Sequence, residues 1–122
     1  MNAVTRAVTA YIAGRLITGS VAWTIQDKDR QRRIPLEAWI DGGSIRIYSH
    51  ERHGYISGVG AEGQYVLFHH TSERGLTLAV NAEQGTFSGT DQQTGYHFFG
   101  DVAERAIRLY DYQDMHWHLY AL

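Results

Sequence analysis

Histidine is the residue of this chain best suited to chemistry, and seven histidines occur among its 122 residues. His116 and His118 flank a tryptophan, and residues i and i+2 of a β-strand point to the same face. A zinc site in a β-sheet uses this spacing when a neighbouring strand supplies a further ligand, for which His97 and Asp111 are the candidates. The spacing therefore predicts a metal-binding protein or metalloenzyme as one alternative. The simpler interpretation is that these histidines lie on a polar sheet face, either hydrogen-bonded or exposed to solvent.

The remaining histidines do not strengthen the metal hypothesis. His50 and His53 lie near each other in a turn-like stretch, whereas His69 and His70 are adjacent. Adjacent residues of a strand point to opposite faces, so His69 and His70 cannot chelate one ion as a pair.

Other catalytic motifs are absent from the sequence. There is no cysteine, no serine in a G-x-S-x-G elbow and no phosphate-binding loop with its lysine. Glu37 and Asp41 could form a pair of carboxylates, but acids on a polar strand face are the simpler interpretation. We therefore assign no catalytic residue and no cofactor apart from the alternative metal ion, and we expect a protein that is not an enzyme.

A short phrase occurs twice in the chain, as Ile-Arg-Ile-Tyr at 45–48 and as Ile-Arg-Leu-Tyr at 107–110. In each copy another aromatic residue, Tyr55 or Trp117, follows the tyrosine by seven positions. This pattern predicts a β-hairpin used twice, with a strand of alternating faces, a polar turn and a returning strand.

Alternation along the last hairpin separates two faces. We expect Ile107 and Leu109 to join Met115, Trp117 and Leu119 in the core. The opposite face is rich in tyrosine, histidine and arginine, which are typical of protein interfaces and of ligand-binding surfaces. An ordinary sheet surface is the alternative interpretation, since tyrosine is also a good strand former. The predicted binding face comprises Trp39, Tyr48, Arg108, Tyr110, Tyr112, His116, His118 and Tyr120.

The N-terminal segment has helical rather than strand periodicity. Its apolar stripe comprises Val4, Ala7, Val8, Tyr11, Ile12 and Leu16. Asn2 is a suitable N-cap, and Gly19 is a suitable stop. The sequence predicts an amphipathic helix over residues 1–18 that packs its stripe on the sheet of its own chain, or else on a second copy.

From residue 19 onward the apolar residues alternate with a period of two, and turn signals separate the runs. We count about eight to ten short strands at nearly regular spacing, which is typical of a sandwich or small barrel. The predicted fold is therefore all-β and mainly antiparallel, a small β-sandwich or barrel built from hairpins with one N-terminal helix. We expect residues 1–122 to form one domain, with the β part at 19–122.

Composition bounds the function only broadly. The net charge of −2 gives no reason to expect nucleic-acid binding. The chain has no apolar run near the roughly 20 residues of a membrane helix, so we expect no membrane association. The absence of cysteine favours a reducing compartment such as the cytoplasm.

The predicted function is a non-catalytic binding or interaction module that uses the Tyr/His/Arg face for self-association or for a protein partner. A small-molecule carrier with an aromatic-lined barrel interior is a further alternative, beside the metal hypothesis. Truncating Trp117 to alanine in a buried core would cost about 3 to 5 kcal/mol. The residues predicted to be buried are Trp23, Ile47, Phe68, Leu78, Leu109 and Trp117.

Overall fold

The computed structural model describes residues 1–50, 54–70 and 74–122, with only the backbone of residue 74. His53 lies outside these ranges. In the described part, one helix is followed by ten antiparallel strands that close into a barrel. The prediction of an all-β fold with one N-terminal helix is confirmed. The elements are α1 (Ala3–Thr18), β1 (Thr24–Asp27), β2 (Arg32–Asp41), β3 (Ser44–Ser49), β4 (Gly54–Ala61), β5 (Gln64–His69), β6 (Arg74–Asn81), β7 (Thr86–Asp91), β8 (His97–Ala103), β9 (Ala106–Asp111) and β10 (His116–Ala121).

Each strand pairs with its neighbours in sequence, and β1 closes the barrel against β10. The closing seam is short, with Gln26 opposite Ala121 and Asp27 opposite Tyr120. One further main-chain bond extends it, from the Lys28 N–H to the Leu119 carbonyl. Both predicted hairpin repeats are present, as β3–β4 and β9–β10.

Three of the connections use the same turn, which begins at a buried aspartate. Asp27, Asp91 and Asp111 each end a strand, and the carboxylate of each accepts a hydrogen bond from a backbone N–H two or three residues later. This local bond is the reason aspartate favours turns. Four positions after each aspartate the backbone has positive φ, at Gln31, Gly95 and Met115.

These aspartates belong to a longer repeat. Alternate strands end at the same rim of the barrel, and their last residues recur at near-constant spacing: Asp27, Ser49, His69, Asp91 and Asp111. The barrel therefore consists of five similar hairpin units, of which the sequence pattern indicated two.

Helix α1 lies inside the barrel, because every residue from Ala7 to Gly14 is buried and so no side of this stretch faces solvent. Barrels of more than eight strands leave interior space that side chains of the wall alone do not fill. Small residues such as Ala10 and Ala13 let the helix fit there. The Thr9 hydroxyl donates to the Thr5 carbonyl, so its burial leaves no hydroxyl unsatisfied.

The prediction of an amphipathic helix with one buried stripe is therefore wrong. The positions off the stripe are occupied by small residues or by a threonine bonded within the helix, so there is no polar face between Ala7 and Gly14. The predicted ends are confirmed. The Asn2 side chain accepts a bond from the Thr5 N–H, and Gly19 adopts the left-handed conformation with φ of 72°.

The core prediction is half right. Ile47, Leu78 and Leu109 are buried against the helix. By contrast, the side chains of Trp23, Phe68 and Trp117 are 60%, 41% and 42% exposed. Trp23 precedes β1, and Phe68 points outward because its neighbour Leu67 is the residue that faces the interior.

Candidate functional site

The register of β9 and β10 divides the predicted binding face between the two sides of the barrel wall. Trp117 lies opposite Tyr110, and Tyr120 lies opposite Ile107. Residues directly opposite each other in an antiparallel pair share a face. Trp117 is therefore on the outer wall with Tyr110, whereas Tyr120 is inside the barrel and only 1% exposed.

The assignment of faces on the returning strand is thus wrong. Tyr120 and His118 are on the inner face, and Met115, Trp117 and Leu119 are exposed. The turn places His116 opposite the buried Asp111. Because alternate residues share a face, this register turns His118 and Tyr120 inward and the residues between them outward.

An aromatic cluster occupies the outer wall of β8, β9 and the turn and strand that follow. It consists of Phe99, Tyr110, Tyr112 and Trp117. The Tyr110 ring centroid is 5.4 Å from that of Phe99, 5.3 Å from Trp117 and 5.1 Å from Tyr112. Most of these contacts are edge-on or tilted, as aromatic pairs prefer. Tyr110 is half-buried at the centre of the cluster, and the other three rings are exposed.

Phe99 was missed in the sequence pattern, although the signal was present. In the pair Phe98–Phe99 one ring must face each side of the strand. Phe98 fills the interior, so Phe99 lies outside beside Tyr110.

Arg108 connects the aromatic cluster to a charged group. Its guanidinium carbon lies 4.8 Å from the Trp117 ring centroid. The same guanidinium donates two bonds to Asp101, at 3.0 and 2.6 Å. These bonds raise the pKa of Arg108 above its ordinary value. At the edge of the cluster the Arg108 side chain is 54% exposed and the Asp101 side chain is 37% exposed.

The first repeat forms a second aromatic group, made of Tyr48, Tyr55, His50 and Arg46. Tyr48 lies opposite Tyr55 with their ring centroids 4.8 Å apart. The guanidinium of Arg46 is 4.6 Å from the Tyr55 ring centroid, and the His50 ring packs edge-on against Tyr48 at 4.9 Å. The Glu37 carboxylate lies 3.0 Å from the His50 Nε2. Trp39, which the sequence assigned to the same face as the later hairpin, lies on this side of the barrel.

The three histidines of the metal hypothesis do not meet. His97 lies on the outer wall, where Thr90 bonds its Nδ1 at 2.8 Å. His118 instead lies opposite the buried Leu109 on the inner face. His116 is exposed at the rim, with its Nδ1 2.5 Å from the Asp114 carbonyl. Among the residues that the structure describes, no group of three or more His, Cys, Asp or Glu could hold a metal ion.

His118 lies between two carboxylates beside the closing seam. Its Nε2 is 2.8 Å from Asp114, and its Nδ1 is 3.7 Å from Asp29. Asp29 also accepts a bond from the Leu119 N–H and so links the β1–β2 turn to β10. Partial burial pushes the pKa of Asp114 upward. The hydrogen bond and charge of His118, the His116 N–H and the charge of Arg6 outweigh it and lower this pKa below its ordinary value.

The helix is held at the rim by Arg6 and at its other end by Arg15. Arg6 bonds the buried Asp111 at 3.2 Å and Asp114 at 3.4 Å. Arg15 bonds the Tyr11 hydroxyl, which itself donates to the Ala22 carbonyl. Burial raises the pKa of Tyr11.

The helix occupies the interior of the barrel. Of the tyrosines on the predicted binding face, Tyr48, Tyr110 and Tyr112 are on the outer wall, whereas Tyr120 points into the interior. At the opposite end of the barrel, beside Leu16, lies an open depression of about 890 Å³. At the rim that holds Asn2, a cavity of about 50 Å³ lies between Asn2, Ser49 and the neighbouring wall. That space suits one or two water molecules rather than a drug-sized ligand.

A serine–histidine contact on the outer wall was not anticipated. The Ser57 hydroxyl lies 2.6 Å from the His70 Nε2, and the Phe68 ring packs edge-on against His70 at 5.4 Å. A nucleophilic serine needs a base that is itself oriented by a third group, usually an acid. No carboxylate contacts His70 within the described ranges, so this pair supplies two of the three groups of a catalytic triad.

Comparison with family models, with curated proteins and with solved structures finds no match to this chain. Over residues 1–50, 54–70 and 74–122, no helix has both the length and the apolar character needed to cross a membrane. The geometry of the barrel wall is therefore the basis on which a function is inferred.

Proposed function

We propose that this protein is a non-catalytic interaction module that binds a second copy of itself through the aromatic cluster and Arg108. The observation that carries the proposal is the contiguity of four rings on the outer wall, three of them exposed, in a barrel whose interior the helix already fills. Solvent-exposed aromatic surface of this kind is typical of interaction sites.

The composition of the cluster supports a protein partner. Tryptophan, tyrosine and arginine are the residues most enriched among those that dominate binding energy at interfaces. The rings also hold one another in place through contacts of 5.1 to 5.8 Å, so little side-chain entropy remains to be lost on binding.

Sugar binding is a less suitable use of this surface. A sugar ring stacks on an open aromatic face, but Arg108 covers one face of Trp117, and Phe99 and Tyr110 pack against the same ring. The cluster therefore presents edges and polar tips, which suit the irregular surface of a protein.

The charges at the edge support a second copy as the partner. A two-fold interface brings the same patch together twice, so it must be complementary to itself. This patch carries both a cation and an anion, Arg108 and Asp101, which can exchange partners across a two-fold axis. The small net charge of −2 adds little repulsion between copies.

A concavity beside the cluster supplies a recess for the partner. Ser88 and Thr90 are small residues on β7, and they lie next to Phe99 and Tyr112 around a hollow of about 440 Å³. An aromatic side chain of the second copy fits a hollow of this kind, as anchor residues do at interface centres.

Sedimentation velocity tests the proposal on the wild type and on Trp117→Ser and Tyr112→Ser. We expect the wild type to self-associate at about 0.1 mM protein, where even a weak dimer is populated. Both variants should have a lower weight-average mass, and Trp23→Ser, which changes an exposed tryptophan outside the cluster, should match the wild type. A wild type that stays at 13.8 kDa, or cluster variants with unchanged mass, would contradict the proposal.

We also propose the cytoplasm as the site of action, supported by the absence of cysteine. Neither nucleic acid nor membrane is part of the proposed function.

A further inference from the structure

The second aromatic group reproduces the geometry of the aromatic cluster on another side of the barrel. In both hairpins a tyrosine lies opposite another aromatic ring, and the arginine two residues earlier covers that second ring, at 4.6 Å in one case and 4.8 Å in the other. Strands β1 and β2 separate the two hairpins on one side, and β5 to β8 separate them on the other. The two surfaces cannot contact the same partner patch at once.

The second group also carries both signs of charge. Glu37 contacts His50 at its edge, with about half of each side chain exposed, and the group thus holds an anion, Glu37, and a cation, Arg46. It therefore meets the same condition of self-complementarity as the patch that holds Arg108 and Asp101.

Apolar surface extends this group along the wall. Trp39 lies opposite Arg46 on the outer face of β2, and Phe68 lies opposite Ser57 on β5. Both rings are more than 40% exposed. The surface thus spans four adjacent strands. Its exposed rings lie on the outer two, β2 and β5, and the Tyr48–Tyr55 pair lies on β3 and β4 between them.

We propose that the second aromatic group is a second self-contact, so that each chain binds one copy through β8–β10 and another through β2–β5. This inference rests on the proposed function, because it assigns to the repeated surface the same kind of occupant. Two separate two-fold contacts on one chain link copies alternately, which produces assemblies larger than a dimer.

Four proteins test the inference by sedimentation velocity and native mass spectrometry: the wild type, Trp117→Ser, Tyr48→Ser and the double variant. We expect species larger than two chains for the wild type, dimers for each single variant and monomers for the double variant. Because Tyr48 is half-buried, Arg46→Glu at an exposed position serves as a second variant and should also stop assembly at the dimer.

Other outcomes separate the two proposals. A wild type no larger than a dimer, or Tyr48→Ser and Arg46→Glu with the mass of the wild type, would overturn the second contact. If Trp117→Ser has no effect while Tyr48→Ser and Arg46→Glu lower the mass, the proposed function fails and self-association through β2–β5 stands. Far-ultraviolet circular dichroism identical to that of the wild type confirms that each variant has folded.

Discussion

The hairpins β3–β4 and β9–β10 are alike on the wall of the barrel and different at its rim. Both bury two aliphatic residues of the outgoing strand, and both place an arginine over an outer aromatic ring. At the rim, however, the outgoing strand ends at Ser49 in one hairpin and at Asp111 in the other.

This difference shows how the helix breaks the symmetry of the repeated units. Arg6 reaches Asp111 and Asp114 in the last hairpin, whereas Ser49 lines the small cavity between the helix and the wall. One helix in a barrel of five similar hairpins can direct its cation to only part of the rim. Residues on the outer wall do not contact the helix, so both hairpins keep the arginine over an aromatic ring.

The rim should account for the largest energetic difference between the hairpins. Asp111→Asn removes the buried charge that pairs with Arg6 and with the Met1 amino group. It should lower the free energy of unfolding by about 3 kcal/mol, the lower end for a broken buried ion pair, because Asp114 still contacts Arg6 and Asp91 still contacts the amino group. Ser49→Ala removes a buried group that carries no charge and should cost about 1 kcal/mol, the centre of the range for single substitutions. Urea denaturation measures both changes, and equal costs would show that the helix does not distinguish the hairpins.

Substitutions of the outer aromatic rings should give a smaller difference in the free energy of unfolding between the two hairpins. Trp117 contacts Phe99 and Tyr110, so Trp117→Ala should cost roughly 1 to 3 kcal/mol at about 0.5 to 1.5 per ring contact. Tyr55→Ala should cost about 0.5 to 1.5 kcal/mol through its contact with Tyr48. Denaturation of dilute protein checks both values. A loss of about 5 kcal/mol for Trp117→Ala would instead indicate the buried position that the sequence pattern predicted.

Acid should affect the last hairpin through Asp114. Because folding lowers the pKa of this carboxyl, its charged form stabilises the protein above its ordinary pKa of about 4, and this stability is lost as pH falls through the lower, folded value. His118→Gln should move the pKa of Asp114 upward and flatten this acid loss. Carboxyl carbon shifts followed by NMR against pH measure it directly.

The matched control for this titration is His116→Gln. The His116 ring contacts the Asp114 carbonyl, and the backbone N–H that bonds the Asp114 carboxylate remains in the variant. The Asp114 titration should therefore stay close to that of the wild type. Equal upward shifts in both variants would mean that His118 has no special effect on Asp114.

The smallest effects should come from the two arginines. Arg108→Lys and Arg46→Lys keep the positive charge but remove the planar group over each ring. We expect thermal midpoints close to that of the wild type, because both residues are exposed. The indole N–H resonance of Trp117 should move in the first variant, and the ring resonances of Tyr55 should move in the second. If neither set of resonances moves, the guanidinium groups do not cover the rings in solution.

The sequence pattern was most successful for features that depend on neighbouring residues. Asn2 and Gly19 bound the helix as predicted, since caps use hydrogen bonds within one turn. The repeated Ile-Arg phrase correctly indicated the two hairpins β3–β4 and β9–β10.

The sequence pattern was least successful for strands whose two faces are both apolar. On β5 the choice lay between Leu67 and Phe68, and on β10 between Trp117 and Tyr120. Alternation separates the two faces but does not say which one is inside. The usual guide, that the more apolar face is buried, fails here because the outer wall itself carries exposed aromatic rings.

Local chemistry in the chain thus accounts for the helix ends, the aspartate turns and the hairpins, since each depends on bonds between residues a few positions apart. Closure of β1 on β10, the position of the helix inside the barrel and the inward side of each strand depend on residues far apart in sequence. Burial of apolar surface drives closure, helix placement and strand orientation alike. It is non-directional, however, and does not by itself select which segments pack together. That choice follows from fitting one helix, with small residues between its larger apolar ones, into the space that ten closed strands enclose.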